Sequence, residues 1–280
     1  MSLKGALAAA VTPYRANGSE LDDGAFEGYA EFLHAGGVGG VLAGGTTGEG
    51  ILQTPEERIR GISLFAGAGL TTIAHCGAQT TADTVRLAAA AGEAGAAAVA
   101  VIAPPYFRLD DRALLAHFEA AAAACAPLPF YVYEFQAASG YAASIEVVSR
   151  LRDRAPNYVG LKVSDAPWER FAPYLLEGLD VFVGPEALIA QGMAAGAVGA
   201  VSGLAAAFPD RVTAAVARPD GPDAAVLGEL RAFVERFPRH AALKRILQRR
   251  GVSMTGDVRR PLRQLTHDER DVLDAWIDAL

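Results

Sequence analysis

The sequence predicts an α/β fold: an eight-stranded parallel (β/α) barrel of the TIM type, followed by a C-terminal helical extension. Short apolar, β-prone runs recur about every 25 residues, and helical patterns lie between them. No break in composition divides the 280-residue chain. Strands that alternate with helices form parallel sheets, and strands this apolar are covered on both faces. Eight such units favour a closed barrel over an open sheet.

The predicted strands and helices alternate along the first two thirds of the chain. Strands are expected at residues 6–12, 39–43, 71–76, 96–102, 129–133, 158–162, 179–183 and 197–202. Helices are expected at residues 22–35, 55–66, 80–91, 110–124, 145–152, 168–175 and 186–194. The helix at residue 55 has the clearest start, because Thr54 is a capping residue and Pro55 suits the first helical position.

Beyond residue 205 only helical patterns remain. They are expected at residues 211–217, 224–237, 239–249 and 268–280. We assign the first of these helices to the barrel and the others to the extension. Residues 1–217 are therefore predicted to form the barrel, and residues 218–280 an extension that packs on it without being independent.

Composition and charge exclude several classes of function. The net charge is −7, from 25 basic and 32 acidic residues, which is not the electrostatic pattern of a nucleic-acid-binding protein. No apolar run is long enough to cross a membrane, and no secretory signal is recognised. Cys76 and Cys125 lie in apolar contexts, typical of small buried residues in a reducing compartment. We therefore expect a cytoplasmic globular protein.

The reactive side chains of such a barrel are expected at the C-terminal ends of its strands, where the active sites of these barrels lie. Thr46 and Thr47 follow the second predicted strand, and Tyr106 follows the fourth. Tyr133 ends the fifth strand and Lys162 ends the sixth. These five residues are the first candidates for a functional site.

Lys162 is unusual because the chain otherwise uses arginine for its positive charge. It has three lysines, Lys4, Lys162 and Lys244, against twenty-two arginines. Burial disfavours the charged form of a lysine, which favours its use as an amine nucleophile. The alternative is a strand-end lysine that extends to solvent or pairs with Asp165. Position and composition alone leave both interpretations open.

Residues 44–50, Gly-Gly-Thr-Thr-Gly-Glu-Gly, indicate a site for a carboxylate. Glycines let the backbone approach a ligand and present N–H groups to an anion, and the two threonine hydroxyls can complete the site. The segment matches neither glycine pattern of nucleotide-binding loops. The alternative interpretation is a tight turn between a strand and a helix.

The aromatic residues and histidines have both functional and structural interpretations. Strand alternation places Tyr131 and Tyr133 on one face, expected to be the barrel lumen, where Tyr133 could shuttle protons or simply pack. Tyr106 lies in a stiff turn and could pack at a subunit contact. The five histidines lack the spacing of metal ligands, and His75 is expected in the core beside the pocket.

Together these motifs resemble those of the dihydrodipicolinate synthase and N-acetylneuraminate lyase family of pyruvate-dependent lyases, which are class I aldolases. The resemblance covers almost the whole chain, with several motifs in one order. They are residues 10–13 (Ala-Val-Thr-Pro), 45–49 (Gly-Thr-Thr-Gly-Glu), 54–58 (Thr-Pro-Glu-Glu-Arg), 104–106, Tyr133, 139–140 (Ser-Gly), 160–162 (Gly-Leu-Lys) and 199–202.

The resemblance implies a catalytic role for Lys162, Tyr133, Thr47 and Tyr106, and a substrate-binding role for Thr46. Lys162 would form a Schiff base with the keto carbon of pyruvate, and Tyr133 would shuttle protons. Thr46 and Thr47 would hold the pyruvate carboxylate, with Thr47 linked to Tyr133. Tyr106 would reach the active site of a neighbouring subunit. This implies at least a homodimer, and the expected assembly is a homotetramer.

The resemblance also implies the rest of the binding site and the cofactor requirement. Gly48, Gly184, Val201 and Ser139 would contact the substrate. No metal or organic cofactor is expected, because the lysine imine itself accepts electrons from the breaking or forming bond. The expected partners are pyruvate and an aldehyde, with no nucleic acid and no membrane.

The departures from the family pattern concern the second substrate. Where the family has Tyr-Asn-x-Pro-x-x-Ser/Thr-Gly, residues 133–140 read Tyr-Glu-Phe-Gln-Ala-Ala-Ser-Gly. Ala138 replaces the arginine that binds a carboxylate in dihydrodipicolinate synthases, and Glu134 adds a negative charge if it points inward. Residues 163–165, which follow the lysine, match neither well-known subgroup. These changes favour a 2-oxo-3-deoxy sugar acid or another hydroxylated aldehyde over a charged partner.

The predicted function is therefore a pyruvate-dependent lyase or aldolase that cleaves or forms a carbon–carbon bond between pyruvate and an aldehyde. Dihydrodipicolinate synthase (4-hydroxy-tetrahydrodipicolinate synthase) is the first alternative. A dehydratase of deoxy-keto sugar acids and a non-catalytic barrel that binds 2-oxo acids are two further alternatives.

Overall fold

Eight parallel strands close into a barrel in the computed structural model, which describes residues 3–280. Each strand pairs with the next along the chain, and the eighth pairs with the first. The predicted fold class is confirmed. The strands are β1 (Gly5–Ala9), β2 (Val41–Ala43), β3 (Thr72–His75), β4 (Ala98–Ile102), β5 (Phe130–Glu134), β6 (Tyr158–Val163), β7 (Asp180–Val183) and β8 (Gly199–Ser202).

Helices follow the strands in the predicted order. Those after the eight strands are α1 (Ala25–Ala35), α2 (Pro55–Gly67), α3 (Thr81–Ala91), α4 (Asp111–Cys125), α5 (Ile145–Arg154), α6 (Trp168–Phe171), α7 (Ile189–Ala194) and α8 (Pro209–Ala217). Three more helices follow: α9 (Pro222–Val234), α10 (Arg239–Arg249) and α11 (His267–Asp278). Short 3-10 turns extend α6 at its end and α7 at its start.

Several short features were not predicted, and two of them follow β1 and β5. Tyr14–Arg15 and Glu20–Leu21 form a two-stranded antiparallel hairpin after β1, and Gln136–Ser139 forms one helical turn after β5. Elements of two to four residues are too short to show a hydrophobic period, so sequence patterns do not reveal them. The predicted start of α2 is confirmed: the Thr54 side chain accepts from the Glu57 N–H in a reciprocal capping box.

Two apolar cores hold the barrel together. The inner core fills the lumen, and Tyr131 belongs to it as predicted, packed edge-to-face against Phe182 at 5.9 Å between ring centroids. The outer core lies between the strands and the helices. Cys76 and Cys125 are buried there as free thiols, as predicted.

Three polar contacts attach the C-terminal helices to the barrel's glycine-rich loop and the helix after it. Lys244 Nζ lies 2.6 Å from Glu49 Oε1, and Arg259 Nη1 lies 2.7 Å from Glu57 Oε2. His240 Nε2 lies 2.9 Å from the Thr46 carbonyl oxygen. The division at residue 217 stays a prediction, and the first two residues of the predicted barrel segment lie outside the described residues. Among residues 3–280 no helix has both the length and the apolar character to cross a bilayer.

Candidate active site

The pairing of β5 with β6 brings Lys162 beside Tyr133. The two residues are register partners near the C-terminal ends of their strands. Lys162 Nζ lies 3.8 Å from the centroid of the Tyr133 ring, and the lysine side chain is only 7% exposed. An amine in this position faces the active-site end of the barrel and contacts an aromatic ring whose hydroxyl can exchange protons.

The surroundings of Lys162 fit neither a lysine that extends to solvent nor one that pairs with Asp165. The Asp165 carboxylate accepts from the Gln136 N–H at 3.0 and 3.2 Å, and within residues 3–280 Lys162 forms no ion pair. Lys244 is the contrasting case, because its fully buried ammonium contacts both Glu49 Oε1 and the Asp257 carbonyl oxygen at 2.6 Å. Lys162 is the buried lysine whose amine is not neutralised by a carboxylate.

Thr46 connects to the Tyr133 hydroxyl. Thr46 Oγ1 lies 3.0 Å from the Tyr133 hydroxyl oxygen, so the expected link from Thr47 is instead formed by its neighbour. Burial alone would raise the pKa of Tyr133, but the positive charge of Lys162 and the Thr46 hydrogen bond leave that pKa below its ordinary value. A tyrosine with a lowered pKa is a better proton donor near neutral pH.

A cavity of about 310 Å³ opens beside these groups, in the size range of small-molecule sites. Its inner end is lined by six of the residues predicted from the sequence: Thr46, Thr47, Tyr133, Lys162, Gly184 and Val201. They come from the ends of five different strands, which converge because the barrel is closed. The structure therefore brings together the proposed nucleophile, the proton donor and the two threonine hydroxyls.

The glycines of the loop after β2 are needed for its shape. Gly44 has a φ of +66°, and a Cβ on Gly50 would lie 1.7 Å from the Gly44 carbonyl oxygen. Glu49 also adopts a left-handed conformation, with a φ of +59°, and is held there by Lys244 and the Arg259 N–H. These constraints place Thr46 and Thr47 at the cavity.

Three predicted site residues lie outside this cavity. The Gly48 carbonyl accepts from Thr12 Oγ1 at 2.7 Å, so this glycine shapes the loop. The Ser139 hydroxyl is buried and lies 2.6 Å from the Tyr141 carbonyl oxygen, which fixes the turn before α5. Tyr106 is 85% exposed, with a φ of +86°, and does not line this cavity.

Glu134 and Ala138 also do not line the Lys162 cavity. Glu134 is buried behind β5, where Oε2 accepts from the Ala143 N–H at 3.0 Å. Burial raises the pKa of this carboxyl to about 8, and the nearby Asp165 adds to the shift. Ala138 lines a neighbouring cavity of about 260 Å³, which also contains His75 and one side of Thr46. Glu134 therefore adds no charge to the Lys162 cavity.

The outer end of the Lys162 cavity contains charged residues that the sequence patterns did not single out. Glu186 follows β7, Arg231 lies on α9, Glu235 follows that helix, and Arg239 begins α10. The last three recur every fourth residue and so share one side of the chain, a pattern that is ordinary on a solvent-facing helix. What distinguishes these residues from ordinary surface charges is that they line a cavity whose other residues come from strands distant in sequence.

Candidate metal ligands are not grouped in the described part of the chain. Within residues 3–280 no three His, Cys, Asp or Glu side chains are arranged to hold a metal ion. His75 packs edge-to-face on Tyr133, with 5.6 Å between ring centroids, and burial followed by the nearby Arg58 charge lowers its pKa well below the usual range. It therefore contributes a neutral ring behind the tyrosine.

The closed (β/α) barrel carries a buried lysine, a tyrosine and two threonines at its C-terminal end, where the active sites of such barrels lie. The model of the dihydrodipicolinate synthetase family matches residues 2–280, and the chain belongs to that family. The predicted family is confirmed, and with it the predicted general class of enzyme, a lyase.

Similar proteins include both branches of the family that the sequence motifs resemble. A DapA-like lyase of Halobacterium salinarum is 33% identical, over 98% of this chain and 93% of its own. A 4-hydroxy-tetrahydrodipicolinate synthase of Thermus thermophilus is 35% identical, over 75% of this chain and 71% of its own. The solved N-acetylneuraminate lyase of Proteus mirabilis has a TM-score of 0.88 and 29% identity, covering 99% of this chain and 98% of its own.

Proposed function

We propose that this protein is a class I aldolase in which Lys162 forms a Schiff base with pyruvate, to cleave or form a carbon–carbon bond with an aldehyde. One observation carries the proposal: the Lys162 amine is buried at the active-site end of the barrel, 3.8 Å from the Tyr133 ring centroid, and has no carboxylate partner among residues 3–280. A structural lysine in this fold would be neutralised, as Lys244 is by Glu49.

The geometry supports a proton relay for imine formation. The Lys162 amine attacks C2 of pyruvate, and its two protons pass by way of the Tyr133 hydroxyl to the oxygen at C2. That oxygen leaves as water, and a carbon–nitrogen double bond forms. Loss of a proton from C3 then gives an enamine, which attacks the aldehyde carbon while the aldehyde oxygen is protonated. Water finally adds to C2, the lysine amine leaves, and the product is released. Tyr133 is suited to these transfers because its pKa is lowered.

Thr46 and Thr47 are proposed to bind the pyruvate carboxylate. Both line the inner end of the cavity, on a loop whose conformation is fixed by its glycines and by His240. The imine stores the electrons of the reacting bond, so the proposed reaction needs no metal or organic cofactor. The Thr46 hydroxyl is proposed to have a second role, in orienting the Tyr133 hydroxyl, which it contacts.

Tyr106 is proposed to act in the site of a neighbouring subunit. Tyr106 and Phe107 are 85% and 72% exposed, and Ile51 is 56% exposed near the cavity that lies between Thr46 and His75. Large exposed apolar side chains beside an apolar cavity are typical of a subunit contact. The proposal therefore includes at least a dimer, and the expected assembly is a tetramer. A cytoplasmic location stays a prediction.

Borohydride trapping tests the Schiff base directly. The protein is incubated with pyruvate and sodium borohydride, and peptide mass spectrometry locates the reduced adduct, which is expected at Lys162. The Lys162→Ala variant should show no adduct, whereas Lys4→Ala, which removes an exposed lysine, should trap pyruvate like the wild type. Tight pyruvate binding without an adduct would support the non-catalytic barrel instead.

4-Hydroxy-tetrahydrodipicolinate synthase is the second candidate, favoured by the named Thermus thermophilus relative. Its expected carboxylate-binding arginine is absent, since residue 138 is alanine. An assay with pyruvate and aspartate semialdehyde separates the candidates: turnover comparable to that with hydroxylated aldehydes would favour the synthase. Release of pyruvate from 2-oxo-3-deoxy sugar acids indicates an aldolase, and loss of water with the carbon skeleton intact indicates a dehydratase.

A further inference from the structure

The outer half of the active-site cavity is built by the C-terminal helices. Arg231 on α9, Glu235 after it and Arg239 at the start of α10 line this half, which we call the outer subsite. Lys162 lies at the inner end of the same cavity. A reactant that meets an enamine on Lys162 therefore places its remote end against the outer subsite.

The charges at this end of the cavity are balanced. Arg231 lies between two carboxylates, with Nη1 3.2 Å from Glu186 Oε2 and Nε 2.7 Å from Glu235 Oε1. Arg239 Nη1 lies 3.1 Å from the same Glu235 oxygen. Partial burial raises the pKa of Glu235, but the two arginines outweigh it and leave that pKa below its ordinary value. This end of the cavity therefore pairs two guanidinium groups with two carboxyl groups.

In the pair formed by Glu186 and Arg231, the carboxylate is already occupied by hydrogen bonds to other protein groups. The Glu186 carboxylate is buried and also accepts from Ser202 Oγ at 2.7 Å and from the Leu204 N–H at 3.0 Å. Glu235 and Arg239 form the other pair, and within residues 3–280 the buried Nε of Arg239 has no hydrogen-bond partner. A guanidinium has five N–H donors, and the contact with Glu235 occupies one of those at the end of the Arg239 side chain, so donors remain there for a ligand.

A charge-balanced surface discriminates between reactants of different charge. A terminal carboxylate or phosphate that approached Arg239 would also approach the Glu235 carboxylate, and like-charge contact opposes binding. A hydroxyl group both donates and accepts, so it can bond to the carboxylate and the guanidinium together. Counted together with the Glu186 carboxylate, which pairs with Arg231, the outer subsite has no excess positive charge to bind an anion.

We propose that Glu235 and Arg239, with Arg231 held between Glu186 and Glu235, form the binding site for the hydroxyl groups of an uncharged aldehyde and discriminate against aldehydes that carry a terminal anion. The proposal rests on the proposed function, because it assumes a pyruvate enamine on Lys162. It assigns the choice of the second substrate to the C-terminal helices, whose position is held by the contacts of Lys244 and His240 with the glycine-rich loop.

The test compares three aldehydes in condensation with pyruvate: glyceraldehyde, glyceraldehyde 3-phosphate and succinic semialdehyde. The wild type is expected to show the highest kcat/KM with glyceraldehyde. Glu235→Gln removes one negative charge, so the ratio of kcat/KM for glyceraldehyde to that for the phosphorylated aldehyde is expected to fall by about tenfold. Glu229→Gln is the matched control, because it makes the same change at an exposed position of α9 that lines a different cavity.

Arg239→Gln provides a second variant with a separate expectation. It removes the charged donor, so kcat/KM for glyceraldehyde should fall by about 10- to 100-fold, through the KM of the aldehyde. The KM of pyruvate should stay unchanged. A wild type that prefers either anionic aldehyde, or a Glu235→Gln variant with the wild-type ratio, would overturn the proposal.

Borohydride trapping of pyruvate separates this inference from the proposed function. Trapping at Lys162 does not involve the aldehyde, so it should occur equally in the wild type, Glu235→Gln and Arg239→Gln. Absence of trapping in the wild type would refute the Schiff base and the inference that rests on it. Normal trapping with an unchanged aldehyde preference would refute the outer subsite alone.

Discussion

Glu134 is expected to make the protein less stable as the pH rises from weakly acidic to weakly alkaline. Its carboxyl is buried behind β5, and burial raises its pKa from 4.5 to about 8. The folded chain therefore keeps this proton over a range in which the unfolded chain has lost it. The contribution of this group to stability is complete below pH 4.5 and is lost as the pH rises towards 8.

The size of the effect follows from the shift in pKa. Over the range between the two pKa values, the free energy of unfolding should fall by about 1.4 kcal/mol per pH unit because of this one group. Glu134→Gln removes the titration but keeps an oxygen that can accept from the Ala143 N–H and an amide that can donate to Asp165. The stability of the variant relative to the wild type should therefore increase as the pH rises.

Urea unfolding at constant protein concentration, at pH 5.5, 6.5, 7.5 and 8.5, measures this difference. The free energy of unfolding of Glu134→Gln minus that of the wild type should rise steadily with pH up to about 8 and then level off. Glu146→Gln changes an exposed carboxylate on α5 that pairs with Arg150, and its difference from the wild type should stay nearly constant. A constant difference for Glu134→Gln as well would show that this carboxyl titrates in the folded protein as it does in the unfolded chain, and would refute the argument.

Three further substitutions test the site and its support. Tyr133→Phe keeps the ring beside the lysine but removes the hydroxyl, so turnover should fall about 10²- to 10⁴-fold in a pyruvate assay; a loss below about tenfold would contradict the relay. Lys244→Met leaves Glu49 buried without its partner, so urea unfolding should show a loss of about 3–5 kcal/mol, and an unchanged midpoint would contradict this. Gly184→Ala places a Cβ 2.3 Å from Ser164 Oγ, so the KM of pyruvate should rise, whereas an unchanged KM would show that the cavity adjusts.

The barrel could be predicted because each of its units is a local pattern. Apolar runs such as β4 and β6 alternate with helical patterns and repeat often enough to exclude an open arrangement of few strands, and the helix after β4 also has its own start signal at Asp110. The hairpin at Tyr14–Arg15 escaped prediction because two residues per strand carry no period. The same holds for the single turn at Gln136–Ser139.

Part of the active site could be predicted for a different reason. Lys162, Tyr133 and Thr46 each lie at the end of a strand, and a closed parallel barrel brings all strand ends of one polarity together. Their proximity therefore follows from the topology without any knowledge of packing. The direction of individual side chains does not follow, which is why the contact to the Tyr133 hydroxyl was expected from Thr47 and is formed by Thr46.

The sequence alone determined the fold class, the strand ends and the unusual lysine, since all three depend on local composition and period. Only the tertiary structure decided which lysine is neutralised, because the partner of Lys244 lies 195 residues away along the chain. It also decided that Glu134 faces the outer core, and that Arg239 reaches the Lys162 cavity. These facts depend on contacts between distant segments, and no short pattern in the sequence encodes such contacts.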